Sequence, residues 1–160
     1  MNGSMRGLVV AGVAMALLAA TVGEASAAPR FRGVRLTNDL VTLVAPFSEV
    51  GLKPSTAVTV HFRASSRARY ACLLPSGAPS GEEMTVNAGP RTSKVSGRAS
   101  KAGVYADIAY LDPGLVYPNC PGQQRAHLIR VCFTNPRLAD EDSGAVYTDP
   151  HVDHLCIRTA

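Results

Sequence analysis

The chain has 160 residues, a formal net charge of +4 at pH 7 and an aromatic content of 6%. A chain of this length is sufficient for one domain of ordinary size and does not favour several. The mild positive charge permits attraction to acidic surfaces without requiring it, and the scarcity of aromatic side chains argues against the stacking of single-stranded nucleic acid.

Residues 1–27 have the features of a helical secretory signal peptide. Arg6 is followed by an apolar run at 8–20, and the small residues of the sequence ASA end at Ala27. The apolar run is short for a membrane span, and no second such run follows, so no span is predicted in the mature chain. We expect cleavage after Ala27 or one residue later. The predicted location is therefore secreted and extracellular, with association with the cell wall as an option.

After the signal peptide, residues 28–38 are predicted to form a flexible basic lead-in, and residues 39–160 a single domain. The sequence DLVTLVAP is the first candidate strand. Apolar and polar residues alternate over 56–64, as expected of a strand with one buried face. The sequence RYACLL is predicted to continue this strand beyond a bend at 65–66.

The second half of the chain alternates short apolar segments with turn-forming segments. Pro75–Glu83 is predicted to be a loop, and the sequences MTVNAG and TSKVSGRAS are weaker strands. Gly103–Leu111 is a stronger strand, Asp112–Gln124 is a loop rich in proline and glycine, and HLIRVCFT and DHLCIR are the final strands.

Turn signals recur along the mature chain, and apolar residues do not follow helical spacing over any long segment. This pattern predicts an all-β fold, an antiparallel immunoglobulin-like β-sandwich of six to eight strands. The chain contains no tryptophan, so it lacks the Cys–Trp–Cys core of a true antibody domain.

Four cysteines follow the signal peptide, namely Cys72, Cys120, Cys132 and Cys156. An even number in an exported chain predicts two disulfides, and the absence of a CxxC pair gives little support to a zinc site. Three pairings are possible. We favour Cys132–Cys156, for the reason given next, which leaves Cys72–Cys120.

The preference rests on a predicted hairpin whose turn lies at Asp142–Gly144. In a hairpin centred on Gly144, Cys132 lies directly opposite Cys156, and the apolar residues beside both cysteines share the other face. A slip of one residue would destroy this agreement. Directly opposite residues are close enough for a disulfide after slight adjustment. The same register places Arg130 opposite Arg158, a like-charge pair with a small penalty.

A metal site is the alternative interpretation of the segment before the last cysteine. Asp149, His151 and Asp153 would point to one side of a strand, and imidazole and carboxylate groups bind divalent ions. The spacing matches no established ligand motif, however, and polar clusters at the start of a strand are usually solvated. The acidic sequence DEDSG is similarly interpreted as a turn and not as a calcium loop. We therefore predict no metal and no cofactor.

No catalytic motif stands out either. The chain has no GxSxG and no HExxH sequence, and its cysteines are expected to be oxidised and so unavailable as nucleophiles. Glu82 and Glu83 adjoin each other in a polar loop, where solvation is the simpler interpretation. The sequence therefore predicts no catalytic residues and no enzymatic activity.

One cluster of basic residues is a candidate binding site. Arg63, Arg67 and Arg69 lie near the predicted bend and would form a cationic patch for polyanions if they were neighbours in space. A solvated strand face is the simpler interpretation and is favoured at this point.

From 50 to about 157 the layout resembles small secreted actinobacterial proteins of uncharacterised function. The resemblance is carried by GLKPSTAVTVHFRASSRARYACLLP, the loop PSGAPSGEE and the segment PNCPGQQRAHLIRVCFTNPRL. Cys72 and Cys120 match the two cysteine positions of that group, whereas the other two cysteines lie outside its pattern. The resemblance implies an immunoglobulin-like sandwich behind a signal peptide, and it supplies no catalytic residues.

These observations predict a non-enzymatic binding domain outside the cell or at its envelope. The expected partner is an extracellular protein or a cell-wall polymer, and nucleic acid is not expected. The alternative is a proteinaceous inhibitor of an extracellular hydrolase, with Pro75–Glu83 or Asp112–Gln124 as the reactive loop.

Overall fold

The computed structural model describes residues 27–149 and 155–159, so the predicted signal peptide lies outside the described residues except for Ala27. These residues contain strands and no helix, which agrees with the predicted all-β class. The strands are β1 (Arg30–Arg32), β2 (Thr37–Asp39), β3 (Thr42–Val50), β4 (Ala57–Leu73), β5 (Pro79–Arg98), β6 (Val104–Leu111), β7 (Arg125–Asp140), β8 (Val146–Thr148) and β9 (Leu155–Arg158).

The strands form two sheets in which every pairing is antiparallel. In the first sheet, β3 pairs with β6 along one edge and with β1 and β2 along the other. In the second sheet the order is β5–β4–β7, and β7 pairs with both β8 and β9. Both sheets contribute to one continuous hydrophobic core, so the predicted packing of two sheets is present.

Two short strands form where the sequence predicts a flexible lead-in, and the core holds the first of them. β1 pairs with the end of β3, and Phe31 packs edge-on against Phe47 with ring centroids 5.6 Å apart. Phe47 in turn packs against Tyr105, at 5.9 Å. The segment 28–38 is therefore partly ordered by an aromatic contact with the core. The short strands β1, β2 and β8 also raise the count to nine, above the predicted six to eight.

The central strand β4 has the alternation that the sequence predicts, over a greater length. Its even-numbered residues from Val58 to Cys72 are buried, and its odd-numbered residues point away from the core. The predicted bend is a shift of register, near Ser65 against β7 and after Ser66 against β5. The strand continues through it because β5 and β7 supply hydrogen-bond partners on both sides.

The predicted loop Pro75–Glu83 is shorter than expected. The chain turns between Leu74 and Ala78, whose backbone groups are hydrogen-bonded at 2.9 Å, and Gly77 has a φ of 84°. From Pro79 onwards the chain belongs to β5, which merges the two weaker predicted strands into one. The proline and glycine signals are overridden because β4 offers a partner along nearly the whole segment.

Both disulfides join the cysteines that the sequence pairs. Cys72–Cys120 attaches the loop at 112–124 to the buried face of β4. Cys132–Cys156 links β7 to β9, and these two residues are direct partners in the ladder with Cα atoms 4.0 Å apart.

The last hairpin has the predicted register along its β7–β9 ladder, from Arg130 opposite Arg158 to Phe133 opposite Leu155. Nearer the turn, Arg137 pairs with Thr148, which is offset by three residues from a hairpin centred on Gly144. β7 is irregular in this part of the ladder. Asn135 has a φ of 53°, and the register of β7 against β4 shifts at the same place. The turn itself is held by Asp140, whose carboxylate accepts hydrogen bonds from the amides that follow it. The prediction of a turn here is thus supported, but the prediction that the whole hairpin is centred on Gly144 is wrong.

Within the described part of the chain, no helix has the length and apolar character needed to cross a membrane.

Candidate functional site: an arginine-lined hollow

The three arginines of the predicted cationic patch share one face of the second sheet. Arg63, Arg67 and Arg69 are odd-numbered residues of β4, so they point away from the core, and all three are exposed. We call this surface the outer face of the second sheet. The sequence could not show whether these residues cluster, and the structure places them along a single strand on that face.

A concave region of about 530 Å³ lies on the outer face. We call it the arginine hollow. Its lining includes Arg67, Arg69, Arg130, Thr134 and the disulfide Cys132–Cys156. Arg63 does not line it and lies farther along β4. The lining of the hollow comes from four strands, β5, β4, β7 and β9, and the disulfide between β7 and β9 closes one side.

Arg130 occupies the centre of a row of like charges. On β7 it lies directly opposite Arg69 of β4 on one side and Arg158 of β9 on the other. Like charges that face each other directly across a sheet are destabilising. A row of three arginines across three neighbouring strands is thus unfavourable unless an anion lies among them.

Neighbouring polar groups compensate only part of this charge. Arg69 forms an ion pair with Glu83, and the Nε of Arg67 donates a hydrogen bond to Asn87 Oδ1 at 2.9 Å. The Nε of Arg130 is buried and has no acceptor among the described residues. An unsatisfied buried donor costs free energy, which adds to the unfavourable charge of the row.

The chemistry of the hollow is that of anion binding. Guanidinium groups donate paired hydrogen bonds that match the oxygens of phosphate and carboxylate groups. The aliphatic stems of the arginines and the disulfide supply the apolar part of its wall. This set of groups orients and neutralises an anion.

The sequence identifies part of this arrangement but not its centre. The hairpin register predicts Arg130 opposite Arg158, and the structure has this pair. Arg130 is nevertheless missing from the predicted patch, because the pairing of β4 with β7 joins segments that are distant in the chain. The one local signal of this row was the like-charge pair Arg130–Arg158, which in the sequence counts as a small penalty of the predicted hairpin.

The predicted metal candidates do not form a site in the described part of the chain. Asp149 accepts a hydrogen bond from the hydroxyl of Tyr147 at 3.1 Å, and His151 and Asp153 lie outside the described residues. No group of three potential ligands occurs within 27–149 and 155–159.

A second hollow, of about 420 Å³, lies beside the turn that follows β7 and is lined in part by Asp140, Asp142 and Ser143. Beneath it, Glu49 is fully buried and accepts a hydrogen bond from the Ser143 hydroxyl at 2.6 Å. Burial raises the pKa of Glu49 to about 7, and the negative charge of Asp140 adds to the increase. Glu49 is therefore a structural carboxyl group whose ionisation opposes folding.

The two loops predicted as reactive loops of an inhibitor differ in how well they could enter the cleft of an enzyme. The first is reduced to a tight turn, as described above. The second, Asp112–Gln124, is long and is attached to β4 by Cys72–Cys120. It exposes Val116 and Tyr117, each by 60%, and the Tyr117 ring also packs against Tyr70 at 5.3 Å.

No model of a known protein family matches this chain, and no curated protein matches it.

Proposed function

We propose that the protein is a non-catalytic binding domain that acts outside the cell or at its envelope, and that the arginine hollow holds an anionic group of its partner. Two disulfides in a small β domain are compatible with an oxidising, extracellular location. In this proposal the protein is secreted by means of its signal peptide. Its two sheets have an immunoglobulin-like arrangement, and the outer face of the second sheet contacts the partner.

The row Arg69–Arg130–Arg158 is the single observation that carries this proposal. Its members repel one another, and the central guanidinium keeps an unpaired buried Nε. An arrangement that is unfavourable in the unbound protein becomes favourable when one anion accepts hydrogen bonds from two or three guanidinium groups. Binding therefore relieves a cost that the folded chain otherwise carries.

The partner class that fits this site is an anionic cell-wall polymer. Such a polymer offers phosphate or carboxylate groups in an oxidising environment, and it needs no catalytic group for recognition. Among the described residues that line the hollow, none has an aromatic side chain on which a base could stack. This composition supports the expectation that nucleic acid is not the partner.

Calorimetric titration of the purified protein with pyrophosphate tests the site. We expect one binding site, an affinity that falls as the salt concentration rises, and a loss of about tenfold or more in Arg130→Met. Arg32→Met is the matched control, because Arg32 is an exposed arginine of the first sheet and its removal changes the net charge equally. An absence of binding, or equal losses in the two variants, would contradict the proposal.

The exposed loop at 112–124 supports a second candidate function, inhibition of an extracellular hydrolase. Val116 and Tyr117 are large apolar side chains on a loop that a disulfide fixes at one end, which is suited to insertion into an enzyme cleft. Stoichiometric inhibition within a panel of extracellular proteases and glycosidases would support it, provided that Tyr117→Ala abolishes the effect. Tyr110→Ala, at an exposed tyrosine of β6, is the control.

A further inference from the structure

A second pair of arginines lies on the same outer face, beyond the arginine hollow. Arg63 of β4 is directly opposite Arg137 of β7, and both side chains are exposed. Six residues separate Arg63 from Arg69 along β4, which corresponds to about 20 Å at the rise of an extended strand. The outer face thus carries two cationic rows, one at each end of a stretch of β4.

The surface between the two rows is narrow and polar. Ser65 lies opposite Thr134, and Arg67 lies opposite Cys132. These side chains are small except for Arg67, which continues the positive charge between the rows. The only carboxylate that forms an ion pair with any of these arginines, among the described residues, is Glu83.

The distance between the rows decides what kind of anion can use both. A single phosphate or carboxylate group bound at one row leaves the other row free, because the two rows are about 20 Å apart along the backbone of β4. Both rows contain like charges that face each other across strands, so both gain from a bound anion. A linear ligand with repeated negative charges can satisfy the two rows together, and the link between its charges raises the effective concentration at the second row.

We propose that the outer face binds a linear polyanion without bases, lying along β4 from the arginine hollow to the pair Arg63–Arg137. This inference rests on the proposed function, since it takes the hollow as an anion site, and it adds a second contact region and a minimum length for the ligand. Arg130 anchors one charge of the polymer, Arg67 contacts the segment between the rows, and Arg63 and Arg137 hold a second charge.

Titration with inorganic polyphosphates of increasing length tests this inference, with pyrophosphate as the shortest probe. We expect the affinity for one polyphosphate chain to rise by about tenfold or more once the chain exceeds about 20 Å in length. Further lengthening should change this affinity little. The double variant Arg63→Met/Arg137→Met is expected to bind pyrophosphate as the original protein does and to lose the gain from length. Arg32→Met should retain both properties.

The outcomes separate this inference from the proposed function. If pyrophosphate binds at the hollow but longer chains bind no more tightly, or if the gain persists in the double variant, the polymer inference fails while the anion site stands. If pyrophosphate does not bind, the proposed function fails first. Tighter binding of oligothymidylate than of a polyphosphate of equal charge would also overturn the inference, because it would show recognition of bases. Thermal unfolding of the double variant should occur at an unchanged or higher temperature, since a like-charge pair has been removed.

Discussion

The stability of this protein is predicted to depend on pH through Glu49. This carboxyl group occupies a core position of β3, in line with the buried residues Leu43, Ala45 and Phe47, and its own exposure is 0%. Burial and, to a smaller extent, the nearby charge of Asp140 raise its pKa from an ordinary value of 4.5 to about 7, although the hydrogen bond from Ser143 lowers it. The folded state therefore prefers the protonated form of Glu49.

The size of the effect follows from the two pKa values. A tenfold change in an equilibrium constant corresponds to about 1.4 kcal/mol, so ionising Glu49 costs the folded state on the order of 3 kcal/mol. Because the folded pKa is raised, the folded state binds this proton more tightly than the unfolded chain does. The resulting stabilisation is complete below pH 4.5 and is lost as the pH rises through about 7.

Denaturant unfolding at a series of pH values between about 5 and about 8 measures this dependence. Glu49→Gln keeps the shape of the side chain and can still accept the hydrogen bond from Ser143, but it carries no charge. We expect the variant to exceed the free energy of unfolding of the original protein by less than about 1 kcal/mol near pH 5 and by about 3 kcal/mol near pH 8.

A matched control separates Glu49 from the other titrating groups. Contributions of all groups other than Glu49 are present in both proteins and cancel in the difference. Glu82→Gln removes an exposed glutamate and should follow the original pH profile. If Glu49→Gln also runs parallel to the original protein over the whole range, the reasoning from burial is refuted.

Two further predictions concern covalent and packing constraints. Replacing Cys72 and Cys120 by alanine should lower the free energy of unfolding by about 4 kcal/mol, and removing the β7–β9 disulfide should lower it by about 3.5 kcal/mol. The first loss is larger because the Cys72–Cys120 disulfide closes a longer ring of chain. Denaturant unfolding measures both losses, and the opposite order would contradict the prediction. Gly97→Ala should cost about 1–3 kcal/mol, because its new Cβ would lie 2.4 Å from the ring of Tyr105. The loss should shrink in a Tyr105→Leu background, and an equal loss in both backgrounds would contradict a clash with the ring.

The register at Cys132–Cys156 could be predicted because two independent constraints agree on it. The alternation of apolar residues allows only registers of one parity, and the disulfide requires directly opposite positions. Both constraints act within about thirty residues of chain. The offset near Arg137 could not be predicted, since it depends on an irregularity of β7 that also involves its other neighbour, β4.

The boundaries of β5 were predictable only in part. Proline, glycine and serine are typical of loops, and the sequence accordingly predicts a loop through Glu83. In the folded chain, β4 supplies partners from Leu73 at one end to Ala57 at the other, and the hydrogen bonds of that ladder outweigh the local preference.

By itself, the sequence determined the all-β class, the number of disulfides and the local hairpin, because alternation and cysteine spacing are properties of short segments. It also showed that arginines recur on the odd positions of β4. The tertiary structure alone decided that Arg130 lies between Arg69 and Arg158, and that Arg63 lies opposite Arg137. That arrangement depends on which strands become neighbours, and neighbours in a sheet are selected by the burial of both sheets around one core.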